Sequence, residues 1–134
     1  MAYKDKITMA SNARKTDRIF TDLSESLAVI DELKYVKIYK GRILASSDLS
    51  QNGKNQPITE IGKSGIVGVE LLVDVSSKVV QFFSLTSAVT GCGHRIVRAV
   101  LDATPTDWKV VVVMDWSQGF WQVMSERYPR LEIL

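Results

Sequence analysis

Four consecutive valines at positions 110–113 constrain the fold more than any other feature of the chain. They lie within WKVVVVM, residues 108–114. A strand with one solvated face alternates between apolar and polar residues, whereas a continuous β-branched run is typical of a strand buried on both faces. A strand of this kind needs helices packed over its sheet, so the run predicts a layered α/β structure.

The segments on either side of the valines predict the rest of the second half. Two strands come first, joined at Ser76 and Ser77, and an amphipathic helix precedes the valines. Another helix follows them and stops before Pro129. The predicted elements are Gly65–Val75, Lys78–Leu85, Gly93–Ala103, Trp108–Met114, Ser117–Tyr128 and a short terminal strand, Leu131–Leu134.

The first half predicts one helix, followed by a hairpin or a bent strand. The helix begins near Thr16, a candidate N-cap, and its apolar residues recur with a period of about 3.6 (Ile19, Leu23, Leu27, Ile30 and Leu33). Tyr35–Ala45 alternates, with a turn at Lys40 and Gly41. Residues 46–57 predict a surface loop, and residues 1–15 a flexible arm. The fold class is therefore α/β (α+β), one domain over residues 1–134 with a mixed, mainly antiparallel sheet.

Composition limits the number of domains and the cellular location that the chain is expected to have. A chain of 134 residues has room for one core. It has no apolar run long enough to span a bilayer, and its N-terminus lacks the apolar stretch of a signal peptide. A single cysteine excludes an internal disulfide and favours the cytoplasm. The net charge of +2 makes nucleic acid an unlikely partner, and the basic N-terminal residues are read as a solvated arm.

The junction Ser84–Arg95 carries the chemistry. It joins a strand to a helix, and Gly91 and Gly93 stand where the helix begins. The first turn of a helix offers free amide groups and the positive end of its dipole, and glycines let an anion approach closely. The loop therefore suits a phosphate or pyrophosphate, although glycines at such turns also serve purely steric needs. It matches neither a P-loop nor a dinucleotide fingerprint.

From about Ile66 to Leu134 the order of elements resembles the acyl-CoA-binding half of the GNAT family of N-acetyltransferases. The Gly91-x-Gly93 loop, the helix after it, the buried strand and the phrase SQGFWQVMSERYP carry this resemblance. It implies a parallel strand pair that splays apart to admit the pantetheine arm of acetyl-CoA. It also implies a set of coenzyme-binding residues: Leu85, Val89, Thr90, Gly91, Cys92, Gly93, His94, Phe120 and Trp121.

Glu70, Ser117 and Tyr128 are the catalytic candidates that the resemblance implies. Glu70 would deprotonate the amine, although a solvated strand face also explains a carboxylate there. Ser117 would lie near the thioester or cap a helix, and Tyr128 is the tyrosine nearest to the family's general acid. The chain departs from the family at two positions. Ala88 replaces the usual Arg or Gln, and Trp121 stands where the acid tyrosine is common.

Residues of the loop and of the last helix also have interpretations other than coenzyme binding. The free amides around Cys92 would lower the pKa of its thiol, but only His94 offers itself as a partner base. His94 itself is expected to be neutral, because the positive end of a helix dipole disfavours an imidazolium. Phe120 and Trp121 could wall a pantetheine tunnel or simply pack in the core.

The resemblance implies an acetyl-CoA-dependent N-acyltransferase that moves an acetyl group to an amine, and no metal is expected. A homodimer is compatible with this interpretation. The alternative is a non-catalytic module with the same fold that serves in binding or assembly, for example in a viral or accessory particle. A third, weaker hypothesis is a nucleic-acid-associated protein that uses the basic N-terminal residues.

Overall fold

The computed structural model describes residues 3–9, 17–50, 56–59, 65–87, 91–112 and 119–134. These form one sheet with helices packed against it. A short 3-10 turn, Tyr3–Lys6, comes first. The strands and helices follow as β1 (Ile7–Met9), α1 (Arg18–Ala28), β2 (Tyr35–Tyr39), β3 (Arg42–Ser46), β4 (Val67–Asp74), β5 (Val79–Ser87), α2 (Cys92–Ala103), β6 (Lys109–Val112), α3 (Phe120–Arg127) and β7 (Leu131–Ile133).

The strands lie side by side in the order of the sequence, from β1 to β7. Strands β2 to β5 form an antiparallel meander. The outer pairs, β1 with β2, β5 with β6 and β6 with β7, are parallel. A mixed sheet with flanking helices is thus confirmed, and so is the parallel arrangement of β5 and β6. Parallel neighbours need a crossover connection, and α2 provides it here.

Helix α1 forms where its apolar period predicts. Its N-cap is Asp17, whose carboxylate accepts a hydrogen bond from the amide of Ile19 at 3.0 Å. The predicted cap, Thr16, lies outside the described residues. The helix ends at Ala28, so the buried residues Ile30 and Leu33 belong to the turns that follow it. It packs against α2, where the Ser26 hydroxyl donates to the Ala99 carbonyl at 2.8 Å.

The N-terminal residues correct the predicted flexible arm. Residues 7–9 form β1, which pairs in parallel with β2 at the edge of the sheet. The Lys6 ammonium donates to the Ala28 and Ile30 carbonyls at 3.0 and 3.3 Å, beyond the end of α1. A cation is favourable at a helix C-terminus, so the Lys6 ammonium holds the N-terminal segment against the end of α1. Strand β1 has only three residues and none of them is buried, so its sequence shows no alternation of apolar and polar residues. The sequence pattern therefore did not predict this strand.

The two faces of the central strands differ. Residues Val67, Val69, Leu71 and Val73 of β4 point into the main core with α1 and α2. On the opposite face, a Cβ on Gly68 would lie 2.4 Å from the Ile58 carbonyl oxygen. Residues 56–59 therefore cross directly over β4, and Pro57 and Thr59 are buried there rather than exposed in a surface loop. No helix in the described ranges is long and apolar enough to cross a membrane.

Arg130 holds the connection between α2 and β6 in place. Its guanidinium donates to the carbonyls of Leu101 at 3.1 Å and Trp108 at 3.3 Å, and also to that of Pro105. Carbonyls at a helix C-terminus lack intrahelical partners, and a cation satisfies them well. The end of α2 and the start of β6 are thereby fixed relative to each other.

Candidate functional site

A cleft lies beside the C-terminal part of β5. Within the described residues, the pairing of β5 with β6 runs from Val79 and Lys109 to Phe82 and Val112, and β5 itself extends to Ser87. A cavity of about 220 Å³ lies beside the last residues of β5. Its lining residues are Leu85, Ser87, Gly93, Phe120 and Trp121. Four of the nine predicted coenzyme-binding residues are thus brought together, and Ser87 joins them from just beyond the predicted end of the strand.

Positions 91 and 93 of the loop favour glycine for different physical reasons. Gly91 is the N-cap of α2 and has φ +84°, in the left-handed region that favours glycine. No described residue lies within 4 Å of a Cβ built there. Gly93 is tightly packed instead, since a Cβ would lie 3.1 Å from the Phe120 ring, which would have to shift by a few tenths of an ångström. Packing therefore favours glycine at position 93, and no described side chain covers Gly91 at the start of α2.

The aromatic pair on α3 serves both the core and the cleft. The Trp121 ring is 5% exposed, and its centroid lies 4.9 Å from that of Phe82. Phe120 meets Trp121 edge to face at 5.1 Å and is half-buried. Such tilted contacts stabilise aromatic clusters beyond their buried area. Core packing thus explains Trp121, and the same packing makes it one wall of the cleft.

Cys92 is buried in the first turn of α2. Burial raises the pKa of its thiol, and the nearby Glu32 carboxylate raises that pKa further. The predicted lowering by helix amides is wrong, because removing the thiolate from water outweighs them. His94 does not act as its base, since its ring turns toward another residue. A nucleophilic role for Cys92 has no support in this arrangement.

We expect Cys92 to react with iodoacetamide at least about tenfold more slowly in the native protein than in denaturant, because both access and thiolate are limited. The folded state holds the thiol proton more tightly than the unfolded state does. Its contribution to stability is therefore complete below the ordinary thiol pKa and is lost as the pH rises past it. Mass spectrometry of the alkylated chain measures the rates, and equal rates in both states would contradict the burial.

His94 and Tyr128 form a pair that the sequence separates widely. The Nε2 atom of His94 lies 2.6 Å from the Tyr128 hydroxyl, and the ring centroids are 5.7 Å apart. Tyr128 is the C-cap of α3, and His94 belongs to the first turn of α2. A predicted catalytic residue and a predicted coenzyme-binding residue therefore meet directly. Neither of them lines the cleft, which Gly93 and Phe120 reach instead.

Glu70 lies on the face of β4 opposite the main core and is 8% exposed. Its Oε2 atom accepts from the Arg42 guanidinium at 2.8 Å, and its Oε1 from the Thr59 hydroxyl at 3.2 Å. The expectation of a solvated strand position is therefore wrong. Residues 56–59 cover this carboxylate, and the register of β3 and β4 was needed to show that Arg42 is its partner.

A β-bulge lies next to Glu70. The register shifts between Glu70 and Leu71, which pair with Ser84 and Phe82, so Phe83 is the extra residue of β5. Bulges kink a strand and are common beside active sites. Phe83 is 51% exposed, and the Arg42 guanidinium lies 5.9 Å from the centre of its ring. The carboxylate, the guanidinium and the ring form a small cluster that sequence spacing does not reveal.

Other predicted residues lie outside the described ranges: Ala88, Val89, Thr90 and Ser117. Their predicted contacts with the coenzyme or the thioester stay predictions. Within the described ranges, no group of three or more histidine, cysteine, aspartate or glutamate residues could hold a metal ion.

Comparison of the chain with protein-family models, curated proteins and solved structures finds no match.

Proposed function

We propose that the protein is an acetyl-CoA-dependent N-acyltransferase of the GNAT type, which moves an acetyl group to an amine. The observation that supports it best is the cavity of about 220 Å³ that Leu85 and Ser87 of β5 line together with the aromatic pair of α3. Helix α2 begins beside this cleft, since Gly93 of its first turn contributes to the lining. Strand, open helix start and parallel strand thus occur in the order that an acyl-CoA site of this family requires.

The coenzyme would use both parts of this arrangement. Its pyrophosphate would bind the free amides at the first turn of α2, where the glycine N-cap contributes no side chain. Its pantetheine arm would enter the cleft against the apolar surfaces of Leu85, Phe120 and Trp121. A backbone amide of β5 near Leu85 would donate to the thioester carbonyl and stabilise the charge that develops on its oxygen during transfer.

The acceptor would approach from the bulge. Its neutral nitrogen attacks the thioester carbonyl, the carbon–sulfur bond breaks, and coenzyme A leaves as the thiolate. The amine must lose a proton, and the candidate base is the carboxylate of Glu70. This carboxylate lies beside the bulge on the face of the sheet opposite Leu85 and would act through water. Holding the two reactants together accounts for most of the rate enhancement that we propose.

Tyr128 tests whether a dedicated acid is needed. We expect Tyr128→Phe to lower the turnover number by less than about tenfold, because a thiolate is a good leaving group near neutral pH. The hydroxyl bonds to His94 and lies at the far end of α3 from Phe120. Release of free coenzyme A with a panel of amines measures the rate. A loss of several orders of magnitude with unchanged acetyl-CoA binding would show that Tyr128 is the acid.

A non-catalytic module with the same fold is the second candidate. Trp121 is buried where the family often has its acid tyrosine, and both oxygens of Glu70 already have hydrogen-bond partners inside the protein. Calorimetric titration with acetyl-CoA separates the two candidates. Heat of binding followed by turnover with any amine supports the transferase, whereas the absence of both favours the module.

A further inference from the structure

The β2–β3 hairpin has a distinct composition. Residues 34–47 contain four cationic side chains and no acidic one. Lys34 precedes β2, Lys40 lies in the turn, and all of Lys34, Lys40 and Arg42 are exposed. Tyr35 and Tyr39 are 40% and 37% exposed. The hairpin therefore combines positive charge with accessible aromatic rings, which lysine-rich solvated strands do not generally show.

The register shows that these side chains share one face. Tyr35, Lys37 and Tyr39 alternate along β2, and Tyr39 pairs directly with Arg42 of β3. The intervening residues Val36 and Ile38 are buried in the core with α1. Tyr35 and Tyr39, four residues apart on one strand, are separated by ~13 Å. The Lys37 ammonium lies between them in sequence and 5.6 Å from the centre of the Tyr39 ring.

Most of the positive charge on this face is available to a ligand. Arg42 is engaged with Glu70, but Lys37 and Lys40 have no ion pair within the described part of the chain. Strand β1 lies alongside β2, with Thr8 paired to Lys37, and β1 itself carries no charged side chain. Two of the three cationic groups on this face are therefore open to a ligand.

We propose that this face, defined by Tyr35, Lys37, Tyr39, Lys40 and Arg42, binds single-stranded nucleic acid. Lysines beside the strand bind phosphates, and bases stack on the tyrosine rings, as on other sheet platforms for single strands. Stacking requires an unpaired base, because the rings sit on a flat face that cannot enter a duplex groove. A membrane is the poorer fit, since rings on a flat sheet do not reach into the acyl region. This binding does not depend on the proposed transferase activity.

Fluorescence anisotropy with labelled single-stranded RNA and DNA of mixed sequence tests the proposal, from low to physiological salt. We expect Tyr35→Ala and Tyr39→Ala each to raise Kd at least about fivefold at constant salt. Lys37→Gln should weaken binding for all sequences and reduce the salt slope by about one. The control is Lys109→Gln, which removes an exposed lysine from β6 and should leave Kd unchanged.

Three outcomes would overturn the proposal. The parent could fail to bind either oligonucleotide at low salt. It could bind equally well after both tyrosine substitutions, with circular dichroism showing an intact fold, which would leave only non-specific charge attraction. It could also bind vesicles with anionic lipids while ignoring oligonucleotides. Tighter binding of the single strand than of the matching duplex, together with the loss in both tyrosine variants, supports it.

Discussion

Gly91→Val is expected to weaken acetyl-CoA binding tenfold or more while the protein remains folded. Gly91 caps α2 with φ +84°, and no described residue lies within 4 Å of the position of a side-chain Cβ. A branched side chain there costs roughly 1–2 kcal/mol of backbone strain. It also occupies the space in front of the first-turn amides, where the pyrophosphate would bind. Isothermal calorimetry measures the loss of affinity directly.

Gly41→Val is the matched control for this substitution. Gly41 lies in the β2–β3 turn with φ +71°, and here too no described residue lies within 4 Å of a Cβ. The two variants thus carry similar strain at separate ends of the fold, and thermal melts should show similar losses. Only Gly91→Val should lose the coenzyme. Equal acetyl-CoA binding by Gly91→Val and the parent would mean that the glycine serves the turn alone.

Glu70→Gln is expected to lower the turnover number about 100-fold or more, with little change in acetyl-CoA affinity. A positioned general base contributes roughly 10²–10⁴-fold to a rate, and an amide cannot accept the amine proton. The substitution preserves the size of the side chain. It also keeps an oxygen that can accept a hydrogen bond from Thr59 or Arg42. The coenzyme A release assay gives the rate at saturating amine.

Asp74→Asn provides the comparison on the same strand. Asp74 is exposed, at the end of β4, and hydrogen bonds from Ser76 and Ser77 lower the pKa of its carboxyl group. Removing this charge should leave turnover within about twofold of the parent, since a surface carboxylate in a turn contributes little to a distant reaction. If Glu70→Gln and Asp74→Asn have the same small effect, Glu70 is structural. Its bonds to Arg42 and Thr59 would then be its role.

A substitution of Arg42 further separates a structural role of Glu70 from a catalytic one. Arg42→Gln removes the ion pair but leaves the carboxylate in place beside Thr59. Because Arg42 is half-exposed, water can replace part of its contribution, and the stability loss should stay near the value for a surface pair. Comparing its turnover with that of Glu70→Gln separates the need for the carboxylate from the need for its partner.

Much of the fold could be predicted from the chain because hydrophobic periodicity is a local property. The valines at 110–113 predict a buried strand, and the stripe through Ile96, Val97 and Val100 predicts α2. The hairpin turn at Lys40 and Gly41 lies where alternation stops. The parallel relation of β5 and β6 followed too, because a helix between two neighbouring strands of one sheet requires a crossover.

Tertiary structure decided the rest, since register and long-range contacts have no local signal. Strand β1 is too short and too exposed to show a period, and pairing with β2 alone defines it. Residues His94 and Tyr128 are brought together by the packing of α2 and α3, and Glu70 acquires Arg42 through the register of β3 and β4. Apart from β1, the sequence by itself indicated which of the described segments are strands and helices, and that glycines stand at the start of α2. Only the assembled sheet decided which side chains meet, because a contact between distant residues depends on the positions of both strands at once.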